Sequence, residues 1–586
     1  MNPLLKQVLF IRWPHRLLIL GLSLLATCFG LLGPYFQKEF VDSLTGQVSA
    51  HWLHLIPDKN PLFYVSAAFA CILISSLFSQ LTNLVGALES IWMQKHFSRQ
   101  LYEKTLSLRL DTLSSRPVGE MVQLYAADVP GSTVFLDQTI PMGATTLFPL
   151  ILAPLALIFL FDAPVWPTLS LMAFIIAFNT YMALRQSRFF YLFKKLAGDR
   201  IGLVNEWIQN IRTIRILGWI PSFEKRIFSV RTIETKNRVS MVTNGQIMNA
   251  VSTSITFILN IVTLGSLVYL SNAQLTSGEI LALLWIVGVF LVRPFRQMPW
   301  FFTFAFDSWT SIKRLEKFLY LENPPHQFAN DKTPHYPSHT ALAVTNLNLA
   351  IGAKQILSQI DLEIKEGEFV AIVGEVGSGK SMLLYSLLGE TGAHFSSYYL
   401  LGKMLNEKNI EEARGQFALV PQEGFIMSAS LRDNVAFCYD TQHEVDPDIE
   451  DSLRLAQFDL DTERVEDGLN TQIGERGVNL SGGQKQRVSL ARIHYMNAPI
   501  LMMDDCLSAV DVDTENKLLE HLLDGSWKGR TRLLVTHRLS VLPRVDRIVF
   551  LENGQIIAQG TFNELLAHNQ KFRDFTVSLA KEKADA

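Results

Sequence analysis

Six apolar segments, near residues 17–41, 63–92, 139–161, 164–186, 246–271 and 278–302, fill most of the first half of this chain. At roughly 1.5 Å per residue, each is long enough as a helix to cross a hydrocarbon core of ~30 Å. Lipid offers backbone N–H and C=O groups no water, so such segments must satisfy them internally, as helices do. The first run, MNPLLKQVLFIRWPHRLLILGLSLLATCFGLLG, has a basic lead but no clear small-residue cleavage site, and Tyr35-Phe36-Gln37 follows it. It therefore reads as a membrane helix and not as a signal peptide.

The basic residues between the segments set the orientation. Lys6, Arg12 and Arg16 precede the first. Lys95, Arg99, Lys104, Arg109 and Arg116 lie between the second and third, and a dozen Lys and Arg from Arg185 to Arg238 lie between the fourth and fifth. The other connections carry only Lys59, or none at all. Positive charge accumulates on the cytoplasmic side, so both termini are expected inside. The two basic connections are too long for simple loops. Apolar positions recur in them at helical spacing, as in Lys95–Leu110 and Val204–Ile216, which predicts two long helical hairpins in the cytoplasm.

The chain is 48% hydrophobic and 18% charged, where a soluble protein carries about 25% charged residues. Its net charge of −3 gives no basic field for nucleic acid. Cys28, Cys71, Cys438 and Cys506 have no metal-ligand spacing and read as reduced, structural thiols. The expected organisation is a membrane domain over 1–321, a Pro- and His-rich linker over 322–339, and a globular domain over 340–586 in which strands and helices alternate.

That last domain opens with the apolar run Phe369–Val373, followed at once by Gly374-Glu375-Val376-Gly377-Ser378-Gly379-Lys380-Ser381 and a helical stretch. This is a P-loop in its strand–loop–helix setting. The glycines let backbone N–H groups turn toward phosphates, and the helix N-terminus adds partial positive charge. Lys380 would reach the β- and γ-phosphates, and Ser381 would hold Mg²⁺. The strand Pro499–Met503 ends in Asp504-Asp505, with Asp504 placed for the metal and Asp505 for the attacking water. Leu480-Ser481-Gly482-Gly483-Gln484 leads into an apolar helix and makes a second helix N-terminus fit for an anion.

Ser481–Gln484 matches the signature of the ATP-binding cassette (ABC) family. Pro421-Gln422-Glu423 resembles its Q-loop, Gly474–Gly477 its exporter X-loop, Ser508–Asp511 its D-loop and Thr536-His537-Arg538 its switch. Ile473–Arg492, Asp504–Asp511 and Asn205–Trp219 are similar to the multidrug-resistance-associated (C) subfamily, in its first nucleotide-binding domain. The resemblance implies a helical membrane domain of six spans with long cytoplasmic extensions, joined to an α/β P-loop ATPase domain. It implies MgATP between two such halves: P-loop, Gln422, Asp504, Asp505 and His537 from one, and Ser481, Gly482, Gly483 and Gln484 from the other. The expected activity is ATP-driven export by alternating access, in a bacterial inner membrane, with a second half as partner. An ATP-gated channel or regulatory subunit is the alternative.

Two positions depart from the family. Asp505 stands where active members carry Glu. About 25 residues before the P-loop, where members usually carry an aromatic to stack on adenine, Asn346–Ile351 has none, leaving Ile351 or Leu349 to contact the ring with less stacking energy. A carboxylate misplaced by about 1 Å slows chemistry on the order of 100-fold. The expectation is a heterodimer in which this chain holds the degenerate site, against a homodimer hydrolysing slowly through Asp505. Polar residues in the spans, Gln80, Asn83, Asn179 and Asn260, and Arg293 and Arg296 toward the inner end of the sixth, are candidates for the transport path.

Overall fold

The computed structural model describes residues 3–46, 60–114, 116, 118–161, 166–270, 276–323, 325–328, 339–352, 354–407, 409–460, 465–474, 480–507, 510 and 512–585. The chain divides into two compact units. One is Met1–Ser107 with Arg116–Leu321, and the other is Leu108–Ser115 with Glu322–Ala586.

Among its described residues the first unit is built of helices. Its rods are Trp13–Thr45, Pro61–Ser107, a continuous run over 118–161, Trp166–Gln209, Ile220–Leu270 and a run over 277–319. They carry the six apolar segments in order. Pro61–Ser107 has 47 residues, about 70 Å of helix, against a hydrocarbon core of ~30 Å. The surplus is the more polar half of the helix, which runs on beyond the apolar segment. Among the described residues, three helical stretches are by length and composition able to span a membrane: Trp13–Thr45, Pro61–Ser107 and Gly119–Phe159. Phe257–Ser266 and Ser277–Val292 are shorter apolar helices.

Buried charge inside this unit is paired, as low dielectric requires. Glu89 takes Arg16 and Arg12, and Glu234 takes Arg200 at 2.8 Å and Arg231 at 2.9 Å. Asn244 donates to Gln186 at 2.8 Å. Three wider turns of π-helix, Leu124–Asp128, Phe135–Thr139 and Ile286–Val292, interrupt the rods.

The second unit is α/β. Its main sheet uses β1 (Phe369–Val373), β2 (Phe417–Val420), β3 (Ile500–Asp504), β4 (Thr531–Val535), β5 (Arg547–Glu552) and β6 (Gln555–Gly560), in the order β6-β5-β1-β4-β3-β2. Only the β5–β6 pair is antiparallel. The central strands are apolar on both faces because both are covered. Phe369, Ala371 and Val373 point into one core with Leu501 and Met503, and Val370 and Ile372 into the other with Ile500 and Met502. A second sheet is built on the hairpin of Thr340–Ile351 with Lys354–Lys365. The linker contributes to this sheet: Gln327–Phe328 pairs in parallel with His394–Phe395, and the Phe328 ring stacks on Phe395 at 5.4 Å.

Candidate functional site

Strand register assembles the site. Ile372 pairs with Val535, Val535 with Asp504, and Met503 with Val420. The C-terminal ends of β1, β4, β3 and β2 therefore align along one edge of the sheet. The four loops that leave this edge begin at Gly374, Thr536, Asp505 and Pro421. Ligands of open parallel sheets bind at that edge, and the expected residues from four distant stretches of sequence meet there.

The loop after β1 is shaped by its glycines. Gly374, Gly377 and Gly379 have φ of 153°, 85° and 102°. A Cβ on Gly374 would lie 2.1 Å from the Leu551 carbonyl oxygen, so no side chain fits. Glu375 and Gly377 are exposed and Val376 is almost fully so, whereas Ser378 is buried. Helix α1 (Lys380–Leu387) starts at Gly379. Lys380 folds its ammonium back into the loop, where it donates to the carbonyls of Gly374 at 2.8 Å and Glu375 at 2.7 Å. Burial lowers its pKa, opposed by the charges of Asp504, Asp505 and Glu375. A buried cation lodged in a ring of backbone, beside two acids, fits a polyanion with its metal.

Burial raises the pKa of Asp504, and a hydrogen bond from Ser381 and the charges of Lys380 and His537 pull it down. Ser381 and Asp504 thus lie within reach of one another, the pair that would hold a hydrated Mg²⁺. Asp505 has left-handed backbone, φ 47°, and its N–H donates to the Val535 carbonyl at 2.9 Å. Burial and the adjacent Asp504 charge push it up to about 6; Arg538, Lys380 and the His537 backbone N–H oppose them. Gln422 is exposed and His537 half-buried at the same edge. Ile351 ends its strand 45% exposed, which leaves an aliphatic surface where a stacking ring was looked for.

Ser481, Gly482, Gly483 and Gln484 open helix α2 (Gly482–Met496). Ser481 and Gln484 form a capping box: the Gln484 N–H donates to Ser481 Oγ at 3.2 Å, and the Ser481 N–H to Gln484 Oε1 at 2.9 Å. Ser481 and Gly482 are exposed. Among the described residues, no hydrogen bond given for these four reaches the P-loop.

Two family models match the chain: the ABC transporter transmembrane region over 17–295 and the ABC transporter domain over 357–508. The chain belongs to the ABC transporter family. It is 28% identical over 577 residues to human ATP-binding cassette sub-family C member 3, which covers 96% of this chain and 36% of that protein. It is 30% identical over 495 residues to ABC transporter C family member 8 of Dictyostelium discoideum, covering 83% and 29%. The chain thus spans about a third of the length of the curated relatives it matches. Among solved structures, a bacterial Atm1-family ABC exporter with ATP bound matches at TM-score 0.83 and 20% identity, over 97% of this chain and 99% of that one. This is an integral membrane protein with a helical transmembrane domain and an ATP-binding cassette domain.

Some expected residues of this ABC protein fall outside the described set: Glu475–Gly477 of the X-loop, Ser508, Ala509 and Asp511 of the D-loop, and the side chains of Asn179 and Arg296. Gln80 and Asn83 are exposed on Pro61–Ser107, and Arg293 is exposed directly after the π-helical turn Ile286–Val292. One contributor was missed in the sequence. Buried Glu515 holds Arg538 at 2.8 Å and accepts from Ser540, while Arg538 also donates to the Leu507 carbonyl at 3.1 Å. This bridge ties the switch loop to the chain after β3. No local pattern announces it, because its partners come from separate loops.

Proposed function

We propose that this chain drives export across a membrane by alternating access, as one of two halves that close on MgATP. In this reading the P-loop amides and Lys380 hold the β- and γ-phosphates, and Ser381, Asp504 and Gln422 hold the metal. Asp505 and His537 face the attacking water. Mg²⁺ supplies charge neutralisation on the phosphates when bound. Ser481, Gly482, Gly483 and Gln484 act in trans, on nucleotide held by the other half.

The observation that carries the reading is the solvent-facing capping box at Ser481, which leaves the N-terminus of α2 open to a nucleotide held by another half. Exposed apolar clusters support a partner as well. Ile216, Leu217 and Trp219 are bare at the turn near the Trp166–Gln209 and Ile220–Leu270 helices, and Phe425, Phe437 and Tyr439 are bare on the ATPase unit. Both termini are assigned to the cytoplasm from the charge of the connections.

Asp505 and Ile351 favour a heterodimer in which this chain's own site binds ATP but turns over slowly, and its signature completes a faster site on the partner. The test is purification of this chain alone in lipid. Little ATPase activity, restored by a second half carrying Glu after its β3 aspartate, is the expected result. Brisk activity of the chain alone, abolished by Asp505→Asn, would replace the heterodimer by a homodimer.

A further inference from the structure

One buried charge pair near the nucleotide edge of the main sheet has no part in the proposed phosphate and metal contacts. Helix α3 (Val512–Leu518) follows β3, and the side chain of its Glu515 is 3% exposed. A carboxylate taken out of water needs donors to stay charged. Glu515 has two: Arg538 Nη1 at 2.8 Å on Oε2, and the Ser540 hydroxyl on Oε1. Both donors belong to the loop after β4, the loop that carries His537.

Arg538 is held from a second side. Its Nη2 donates to the carbonyls of Leu507 at 3.1 Å and Val510 at 3.3 Å. These carbonyls bracket the turn that begins shortly after Asp505, and the Val510 N–H closes that turn on the Leu507 carbonyl at 3.3 Å. One guanidinium thus joins α3 to both ends of the turn 507–510. The planar fork of an arginine suits this task, because its donors point in fixed directions and three acceptors fix the plane of the group.

His537 therefore lies between two anchored neighbours. Thr536 is 1% exposed. Its N–H donates to the Ile372 carbonyl of β1 at 3.3 Å, and its hydroxyl accepts from the Arg538 N–H at 3.0 Å. Thr536 is tied to the sheet and Arg538 to α3, so the backbone of His537 has little freedom, and its N–H stays within reach of the Asp505 carboxylate. The charge of Arg538 also acts on Asp505. Without Glu515, the guanidinium would have only that second acid to turn to.

We propose that Glu515 is a positioning residue of the nucleotide site: by holding Arg538 it fixes His537 and the turn 507–510 in the arrangement that turnover needs. The inference rests on the ATP-driven reading above and adds a residue that lies outside the motifs. In that reading Glu515 touches neither the nucleotide nor the attacking water. It bears on the rate and leaves the hold on MgATP alone.

The test uses the full chain in lipid, with whatever second half co-purifies. MgATP affinity is measured by equilibrium titration, and turnover as the rate of vanadate trapping on this chain at saturating MgATP. Glu515→Ala should keep the affinity within about twofold and slow trapping roughly 10- to 100-fold, the scale of a misplacement near 1 Å. Glu515→Gln offers an oxygen to Arg538 and an amide to Ser540 Oγ, and should recover most of the rate. Arg538→Met should slow trapping as Glu515→Ala does, and the two together should cost no more than either alone, since both break one connection. Should a single variant fail to fold, the double variant, which removes both buried charges at once, is held to the same rate and affinity. Trapping at the parent rate in Glu515→Ala overturns the proposal, and so do losses that multiply in the double variant. A fall in affinity that matches the fall in rate also overturns it, because Glu515 then serves the fold of the cassette. A parent that binds MgATP and never traps it defeats this inference alone, whereas a parent that binds no MgATP defeats the ATP-driven reading itself.

Discussion

Lengthening one side chain should awaken this chain's own nucleotide site. Asp505 leaves β3 with left-handed backbone, fixed by its N–H on the Val535 carbonyl, and its carboxylate is drawn toward the His537 backbone N–H and Arg538. The backbone cannot slide forward to compensate, so the shortfall is the length of one C–C bond, about 1.5 Å. Misplacement of this order costs about 100-fold in rate, or roughly 2.7 kcal/mol of barrier. Asp505→Glu should recover much of that and raise turnover at this site about 10- to 100-fold, with ATP affinity unchanged. Vanadate trapping of a photoreactive ATP analogue reads turnover chain by chain, so a second half in the dimer does not obscure the result. Two results would refute the argument. Turnover within about twofold of the parent means that Asp505 already reaches the water. Unchanged trapping in Asp505→Asn means that no carboxylate at this position takes part.

Three further outcomes follow from the same geometry. Lys380→Ala removes the ammonium that lies among the Gly374 and Glu375 carbonyls and should weaken MgATP binding on the order of 10- to 100-fold, measured by equilibrium titration. Ser481→Ala removes the N-cap of α2 at a cost of about 1 kcal/mol; MgATP affinity at this chain's own P-loop should hold, while ATPase activity of the assembled pair falls. Burial, with Arg109 nearby, lowers the His326 pKa from 6.5 to about 4, against a weaker opposing charge on Asp111. The folded protein thus keeps the ring neutral, and the resulting stability is complete above pH 6.5 and lost as pH falls toward 4. The loss is on the order of 2–3 kcal/mol, and thermal unfolding between pH 7.5 and 5 should show a flatter profile in His326→Gln. An unaltered profile would mean that other groups carry the pH dependence.

Most of the nucleotide site could be read from the sequence because each motif is local. Gly374–Ser381, Pro421–Glu423, Asp504-Asp505 and Thr536-His537 each sit where a strand ends, and a parallel sheet brings strand ends to one edge whatever their separation in the chain. The interactions between those loops were not legible. Glu515 meets Arg538 across 23 positions, and nothing in either neighbourhood requires the other. The linker was misleading for a different reason. Its Pro and His content and scarcity of apolar residues read as a tether, yet Gln327–Phe328 pairs with His394–Phe395 and the Phe328 ring stacks on Phe395, so its first residues join the ATPase unit. The π-helical turns were equally invisible, since the apolar composition of Ile286–Val292 fits an ordinary α-helical turn as well.

The two departures from the family gain weight from where they stand. Gly374 is required by the fold whether or not ATP is hydrolysed, because any Cβ there would strike the Leu551 carbonyl. Gly379 is similarly confined, with a Cβ position 2.9 Å from Leu357. An intact P-loop is therefore weak evidence of turnover. Ile351 and Asp505 are different. Ile351 is 45% exposed at a strand end and belongs to neither apolar core, and Asp505 is half-buried directly after β3. Packing does not fix the identity of Ile351, so it reports on function more cleanly than the glycines do. On the proposed reading Ile351 bears on the hold on the base and Asp505 on the reach to the water, whereas Ser481, which would serve the other half's nucleotide, keeps its capping-box geometry. That combination, an altered site beside an intact signature cap, is what favours the unequal pair proposed above.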